Sequence, residues 1–228
     1  MGKDFIDRRP RYCIWLKNAD PVLLKKCPQI LHRVEMVKEF RNNSNRKNTK
    51  KAAETPTLFA TIVEYEQSYI AIPKVSSERR RYIPMDYLSG EIIPGDKLFT
   101  MPDATTYHFG ILESNIHMAW MRAVCGRLKS DYSYSNTIVY NNFPWPTPTD
   151  SQKQTIEKTA QGILDARALY PDSSLADLYD PLTMPPELHK AHTANDIAVM
   201  KAYGFDTRMT EAECVAELMK MYQKLTSH

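Results

Sequence analysis

Three closely spaced prolines divide this chain into two parts with different hydrophobic patterns. The connector Pro144–Asp150 reads PWPTPTD, and each proline fixes its own backbone angle and removes a hydrogen-bond donor. Before the connector, short runs of β-branched and aromatic residues indicate strands; after it, apolar residues recur every three to four positions and indicate helices. We therefore predict an α+β chain, with a β-rich domain containing a few helices over residues 1–146 and a small all-α region over residues 147–228.

Short strands and two longer helices are expected in the first part. Ser114 is a suitable N-cap for a helix from Asn115 to about Val124, whose apolar residues form one stripe. Another helix is expected from Gln29 to about Phe40, leading into a basic loop at Arg41–Lys51. The predicted strands lie at residues 11–17, 58–65, 68–73, 82–88, 97–101 and 106–111.

The second part is expected to contain four helices. Thr149 or Asp150 can cap the first of them, and Thr210 with Glu213 matches a capping box at the start of the last. The predicted helices lie at residues 151–170, 174–179, 186–203 and 210–225.

Charge and hydropathy narrow the classes of partner. No apolar run approaches the length of a membrane span, and the N-terminal sequence MGKDFIDRRP has no signal-peptide core, so we expect a cytoplasmic location and no membrane partner. Residues 1–150 hold 22 Lys and Arg against 16 Asp and Glu, whereas residues 151–228 hold 8 against 11. A basic first part suits a polyanion such as nucleic acid, and the acidic helical part does not.

Motifs for catalysis and cofactor binding are missing from the sequence. The seven glycines include no GxGxxG or P-loop spacing, and the four cysteines form no CxxC pair. GxSxG and HExxH motifs are also absent. We therefore predict no catalytic residue, no metal ligand and no cofactor site in this chain.

The segment GRLKSDYSYSNTIVYNNFPWP, at residues 126–146, combines cations, tyrosines and amides in the manner of a nucleic-acid contact surface. Lys129 and Asp131 are two residues apart, so an extended backbone would direct both side chains to the same face. In the major groove, lysine suits the acceptors of guanine and aspartate suits the amino group of the paired cytosine. The alternative is a surface ion pair worth under about 1 kcal/mol.

A second polar cluster reads SSERRRY at residues 76–82. Three consecutive arginines after two hydroxyls supply donors for phosphates and for base edges, and phosphate contact is the favoured role. The alternative is a solvated strand edge protected by its charge.

Three long stretches of the sequence resemble one known family: SSERRRYIP, then FGILESNIHMAWMRAVCGRLKSDYSYSNTIVYNNFPWP, then LADLYDPLTMPPELHKAH with NDIAVMKAYGF. Over nearly the whole chain they resemble the C-terminal part of MmeI-like type IIL restriction-modification DNA methyltransferases. The resemblance implies a target-recognition domain followed by a helical C-terminal region. In that family an N-terminal nuclease and a central methyltransferase domain precede these parts and carry the metal and S-adenosylmethionine sites.

The resemblance also implies a function and a set of contact residues. The partners would be double-stranded DNA and the upstream methyltransferase domain of the same bacterial polypeptide, and a recognition module would help to hold bases around a flipped adenine. Base reading is expected at Lys129 with Asp131, and at Lys74 with Asp96. Ser133 stands where relatives commonly carry arginine. Further DNA contacts are expected at Ser76, Ser77, Arg79, Arg80, Arg81, Arg127, Ser130, Tyr132, Ser133 and Tyr134.

Two other functions stay open at this stage. A protein-interaction module would bind an acidic partner through the basic surface, and DNA sequence would then have little effect on binding. An enzyme with a hidden active site would show turnover without added domains, but the missing catalytic motifs argue against it.

Overall fold

The computed structural model describes residues 2–227, which form two compact units. Arg11–Glu64 is the smaller unit, and the rest of the described chain is the larger one. Two small antiparallel sheets occur together with helices, and a helical region follows them, so the α+β class is confirmed. Within residues 2–227, no helix combines the length and the apolar content needed to cross a bilayer.

The smaller unit has irregular structure where the sequence predicts strands at both its ends, and its helices lie between those ends. No strand forms at residues 11–17 or 58–65, so both predictions are wrong. Instead, Trp15 stacks on Phe59 with ring centroids 5.5 Å apart, and the two runs contact each other through side chains rather than through a ladder of backbone hydrogen bonds. The first helices of the chain are α1 (Gly2–Ile6), which belongs to the larger unit, α2 (Pro21–Lys25), α3 (Pro28–Asn42) and α4 (Lys47–Lys51).

The basic run at Arg41–Lys51 is folded rather than a loop. It contains the end of α3 and the whole of α4, and a 3₁₀ turn follows at Ala52–Glu54. The Arg41 guanidinium donates to the carbonyls of Ala52 and Leu58, both at 2.7 Å. Arg41 therefore satisfies backbone acceptors within this unit instead of facing a phosphate.

Two three-stranded sheets form in the larger unit. The central strand of the first sheet, β1 (Tyr69–Pro73), is buried along its whole length and confirms the strand predicted there. A single residue, Lys74, separates it from β2 (Val75–Ser76), which belongs to the second sheet. The first sheet also contains β3 (Asp86–Leu88) and β4 (Leu98–Pro102), and the second adds β5 (Gly126–Leu128) and β6 (Asp131–Ser133) in the order β2-β6-β5.

The predicted strand at residues 106–111 is instead a helix, α5 (Thr106–Leu112). Most of its residues are buried, so the apolar run lacks the one-sided pattern that distinguishes a helix from a strand. Gly110 lets α5 approach its neighbour closely: a Cβ there would lie 2.7 Å from Ile156 Cγ2 and 3.0 Å from Ala160 Cβ. The tertiary contact therefore decides the local structure.

The helices predicted after this point are confirmed. Ser114 caps α6 (Asn115–Val124) by accepting from the His117 amide, and the predicted capping box of Thr210 with Glu213 is present. The C-terminal helices are α7 (Asp150–Ala168), α8 (Leu175–Leu178), α9 (Pro186–Ala202) and α10 (Glu211–Thr226).

One hydrophobic core extends across the proline connector. It includes Phe109 and Trp120 from before the connector and Ile156, Leu188 and Leu218 from after it, all almost fully buried. In this core α7 packs on both α5 and α9, and α10 packs on α6. The division at residues 146 and 147 remains a prediction about sequence organisation, because the packing joins both sides.

Candidate nucleic-acid interface

The strands β5 and β6 form a surface hairpin with a two-residue loop. Leu128 pairs with Asp131, which leaves Lys129 and Ser130 to make the turn. Lys129 has a φ of +58°, the positive value that the first position of a type I′ or II′ turn requires. The expectation that Lys129 and Asp131 lie on one face of a continuous extended segment is therefore wrong, since the chain reverses direction between them.

Lys129 and Asp131 keep their hydrogen-bonding capacity unused. Lys129 is exposed and Asp131 is half-buried, and within the described chain neither side chain makes a hydrogen bond or an ion pair shorter than 4.0 Å. The alternative of an ion pair between them is thus not observed within residues 2–227. The hairpin tip presents one cation and one anion, separated in the sequence by Ser130, and both side chains can take new partners.

Arg127 stabilises this hairpin from within. Its guanidinium stacks on the ring of Tyr132, 4.1 Å from the centroid, and donates to the Ser130 carbonyl at 2.9 Å. The carboxylate of Glu78 lies 3.8 Å away, and about half of each of these two side chains is exposed. Arg127 therefore orders the turn while part of its guanidinium still faces solvent.

Three predicted contact residues have buried side chains. Tyr132 and Tyr134 lie in the core, and the Tyr134 hydroxyl is 3.0 Å from His117 Nε2. Burial lowers the pKa of His117 to about 3, so its ring is neutral. The Ser76 hydroxyl is buried in β2. In this conformation these side chains support the sheet and are not available on the surface for a contact with DNA.

Lys74 and Asp96 are brought near each other by the backbone. The Lys74 amide donates to the Lys97 carbonyl at 3.1 Å, next to Asp96 in the sequence. Lys74 Nζ lies 4.5 Å from the centroid of the Phe99 ring, and the exposed Asp96 carboxylate is 3.3 Å from Lys97 Nζ. Lys74 also joins the second couple to the hairpin, because its carbonyl accepts from the Tyr134 amide at 2.9 Å.

The three consecutive arginines have different surroundings. Arg79 pairs with Asp180 at 3.1 Å, and Arg81 pairs with Asp196 at 3.4 Å, so both reach toward the C-terminal helices. Arg80 is half-buried, and burial lowers its pKa while the carboxylates of Asp180 and Asp131 favour its protonated form. The hydroxyl of Ser77, also a predicted contact, is 3.4 Å from the Arg79 amide.

A buried polar network that sequence reasoning missed lies behind the arginines. Arg167 donates to Glu113 at 3.0 Å and to the Tyr179 hydroxyl at 2.9 Å, and that hydroxyl is 2.8 Å from His192 Nε2. One signal was available: Arg167 continues the apolar spacing of Ile156, Ala160 and Ile163 and so falls at a core position of α7.

The carboxylate of Asp196 lies in the same region and contacts three residues from other parts of the chain. It accepts from the Tyr82 hydroxyl at 2.7 Å and from the Asn115 amide at 2.8 Å, besides pairing with Arg81. Burial raises the pKa of Asp196 to about 6, against the effect of its hydrogen bonds, and burial raises the pKa of Glu113 to about 7 despite Arg167. This network positions the arginine run on the helical region.

Within residues 2–227, no group of three or more His, Cys, Asp and Glu side chains is placed to hold a metal ion. The side chains around the hairpin are charged, hydroxyl and aromatic, which is the chemistry of recognition by hydrogen bonds and charge.

Two family models together match the whole chain, and one curated protein is similar over almost all of it. The family described as "MmeI, target recognition domain" matches residues 1–147, and "MmeI, C-terminal domain" matches residues 148–228. The protein called DNA methyltransferase A from Bacillus subtilis (strain 168) is 40% identical over 223 residues, which are 98% of this chain and 25% of that protein.

A solved structure is similar over the full length. It is the type IIL restriction-modification enzyme MmeI in complex with DNA, which is 44% identical to this chain with a TM-score of 0.97. The match covers 100% of this chain and 30% of that one. This chain therefore spans about a quarter to a third of the length of these two relatives.

Proposed function

Because this chain belongs to the MmeI family, with the target recognition and C-terminal domains of that family, we propose that it is the sequence-specific DNA-recognition module of an adenine-specific DNA methyltransferase. The MmeI relative was solved with DNA and the Bacillus relative is named a DNA methyltransferase, which supports both the partner and the reaction. The module positions the target adenine, which leaves the base stack so that its exocyclic amine can be methylated.

The hairpin turn carries this proposal. Lys129 and Asp131 are a cation and an anion at the tip of a surface hairpin, and within the described chain neither side chain makes a hydrogen bond or an ion pair shorter than 4.0 Å. We assign Lys129 to the O6 and N7 acceptors of a guanine and Asp131 to the N4 amino group of the paired cytosine. The couple then specifies a G·C pair at one position of the recognition site.

Lys74 and Asp96 form the second base-reading couple of the proposal. Their present contacts are a cation–π contact with Phe99 and an exposed ion pair with Lys97. Both contacts are weak enough to be exchanged for a base edge, since an exposed ion pair contributes at most about 1 kcal/mol. The link from Lys74 to Tyr134 through the backbone holds this couple in register with the hairpin.

The side chains around the hairpin that reach solvent are assigned to contacts with the phosphates and with groups next to the bases that are read. Arg127 lies in β5, Ser130 lies at the turn and Ser133 lies in β6. Ser77 and Arg80 lie in the cluster at residues 76–82. Arg79 and Arg81 instead hold this cluster to Asp180 and Asp196. Contacts to phosphates fix the register of a protein on DNA, and base contacts then give the specificity.

The remaining parts of the reaction belong to the rest of the polypeptide. S-adenosylmethionine would bind in a methyltransferase domain of the same protein, outside this chain, and that domain would form the opposite wall of the DNA cleft. A bacterial enzyme acting on the chromosome works in the cytoplasm, which is the location that we propose. We also propose that recognition is confined to residues 1–146 and that residues 147–228 brace it.

The test is to map the methylated sites of the full-length parent enzyme by single-molecule sequencing. The variant carries Lys129→Glu with Asp131→Arg, which reverses the order of donor and acceptor without changing net charge. The matched control carries Glu217→Arg with Lys220→Glu, the same exchange applied to an exposed ion pair on α10. We expect one G·C position of the motif to change in the hairpin variant and the motif to stay unchanged in the control.

Two outcomes would contradict the proposal. An unchanged motif in an active hairpin variant would show that the couple does not read a base. Equal DNA binding to all sequences by the unmodified enzyme would favour the interaction-module alternative, in which the basic surface binds an acidic protein.

A further inference from the structure

The smaller unit, Arg11–Glu64, has almost no hydrophobic core of its own. Of its residues, all of which the structure describes, only Ala53 is buried. A unit of this size is marginally stable even with a packed core, and one with a single buried residue needs additional contacts. Its large exposed apolar side chains are Tyr12, Ile14, Val22, Leu23, Leu31, Met36, Val37, Phe40 and Phe59.

The helix α3 is apolar on two faces. Ile30, Val34 and Val37 line a groove together with Ile14 and Phe59, so one face is directed into the unit. Met36 and Phe40, four residues apart, lie on a different face, and 56% and 75% of their surfaces are exposed. A helix with apolar residues on more than one side is typical of a helix packed between two partners.

We propose that the face of α3 carrying Met36 and Phe40 docks against a domain of the same polypeptide that lies outside this chain. The inference rests on the proposed function, in which this chain is one module of a longer methyltransferase. Most of each relative lies outside the matched region, since this chain covers 25% of one and 30% of the other. In such a methyltransferase, the further domains would be tethered to this surface and so present at a high effective concentration.

The side chains Met36 and Phe40 suit a contact with protein better than a contact with DNA. Protein–DNA interfaces are polar and strongly positive, whereas Met36 and Phe40 offer thioether and aromatic surface, which is enriched where proteins contact proteins. Of the eleven Lys and Arg residues of the unit, four lie in the run Arg46–Lys51 that contains α4. The helix α3 carries three more, Arg33, Lys38 and Arg41, and Arg41 is already bonded to backbone carbonyls. Exposed apolar surface of this kind marks a contact with protein.

Photo-crosslinking in the full-length parent enzyme tests the proposal. The variant Phe40→p-benzoylphenylalanine is irradiated, and the crosslinked peptides are identified by mass spectrometry. The matched control is Glu35→p-benzoylphenylalanine, on another face of the same helix. We expect crosslinks from position 40 to peptides outside the segment of this chain, with a yield at least fivefold above that of position 35.

Several results would overturn the proposal. Crosslinks from position 40 to a second copy, to residues 65–227 or to DNA would each assign the surface to another occupant, and equal yields at positions 35 and 40 would show no docking. The hairpin exchange of Lys129 and Asp131 is combined with Phe40→p-benzoylphenylalanine in a further sample. We expect it to leave the crosslink unchanged, so failure of the DNA proposal and failure of the docking proposal are distinguishable.

Discussion

The guanidinium of Arg167 lies 3.0 Å from the carboxylate of Glu113, and both side chains are almost completely buried. Arg167 belongs to α7, after the proline connector, and Glu113 follows α5, before it. Met85 is held by both: its carbonyl accepts from Arg167 at 2.7 Å and its amide donates to Glu113 at 2.8 Å. The pair therefore joins the helical region to the chain that enters β3.

At pH 8, where Glu113 is ionised, we expect Arg167→Met to destabilise the chain by about 3–5 kcal/mol, because removal of the guanidinium leaves the carboxylate buried without compensation. The control is Arg208→Met, which removes an exposed ion pair with Asp206 and should change stability by less than about 1 kcal/mol. Urea denaturation followed by circular dichroism measures both. Similar losses in the two variants would show that the buried pair contributes no more than a surface pair.

The pH dependence of stability provides a second prediction, because burial raises the pKa of Glu113 from 4.5 to about 7. Between these values the folded chain holds a proton that the unfolded chain releases. The stability contributed by this proton is fully present below about pH 4.5 and is lost as pH rises through about 7.

We expect the wild type to lose about 2 kcal/mol relative to Glu113→Gln between pH 5 and pH 8. The comparison with Glu113→Gln cancels the other titrating groups, because glutamine keeps a similar shape and does not ionise. The measurement is the free energy of unfolding in urea for both proteins at each pH. Parallel profiles would mean that Glu113 ionises in the folded chain at its ordinary pKa.

The helices after the connector could be predicted because their signals are local. Thr149, Ser174 and Thr210 each cap the helix that follows, and the apolar spacing continues for several turns. The strands at 11–17 and 58–65 were predicted wrongly, because β-propensity describes residues that fit a half-buried sheet, and these runs have no partner strand. Whether such a segment forms a strand therefore depends on pairing with a distant part of the chain.

In the candidate site, too, local signals in the sequence identified residues, whereas their placement depends on contacts between distant segments. Residue type and the family resemblance pointed to Lys129 and Asp131 as candidate contact residues. They did not predict the turn between the two, because the position of that turn is fixed by the register of β5 on β6 and of β6 on β2. The burial of Tyr132 and Tyr134 likewise follows from the core beneath the second sheet. Alternation along the sequence alone gives no information about which face of a short strand meets the core.

Close packing of α5 on α7 gives a third prediction, which concerns Gly110. We expect Gly110→Ala to destabilise the chain by about 1–3 kcal/mol, because the new methyl group would lie 2.7 Å from Ile156 Cγ2. The control Gly162→Ala, in the middle of α7 with nothing within 4 Å, should stabilise it by about 0.5–1 kcal/mol. Thermal unfolding compares them, and destabilisation by both substitutions would exclude the packing explanation.

The different surroundings of Arg79 and Arg80 give a fourth prediction, about DNA binding by the full-length parent enzyme. Arg79 is already paired with Asp180, whereas Arg80 has no ion-pair partner within 4.0 Å in the described chain, and its Nε has no hydrogen-bond partner. We therefore expect Arg80→Ala to weaken binding to specific and non-specific duplexes alike and to reduce the slope of log K against log salt by about 1.

Arg79→Ala is the matched comparison, since it removes the same charge one residue away. Its slope should stay close to that of the wild type, because the lost guanidinium served Asp180 rather than a phosphate. Fluorescence anisotropy at four salt concentrations gives the slopes. A reduced slope in Arg79→Ala with an unchanged slope in Arg80→Ala would reverse the assignment, and the ion pair with Asp180 would then be one that DNA displaces on binding.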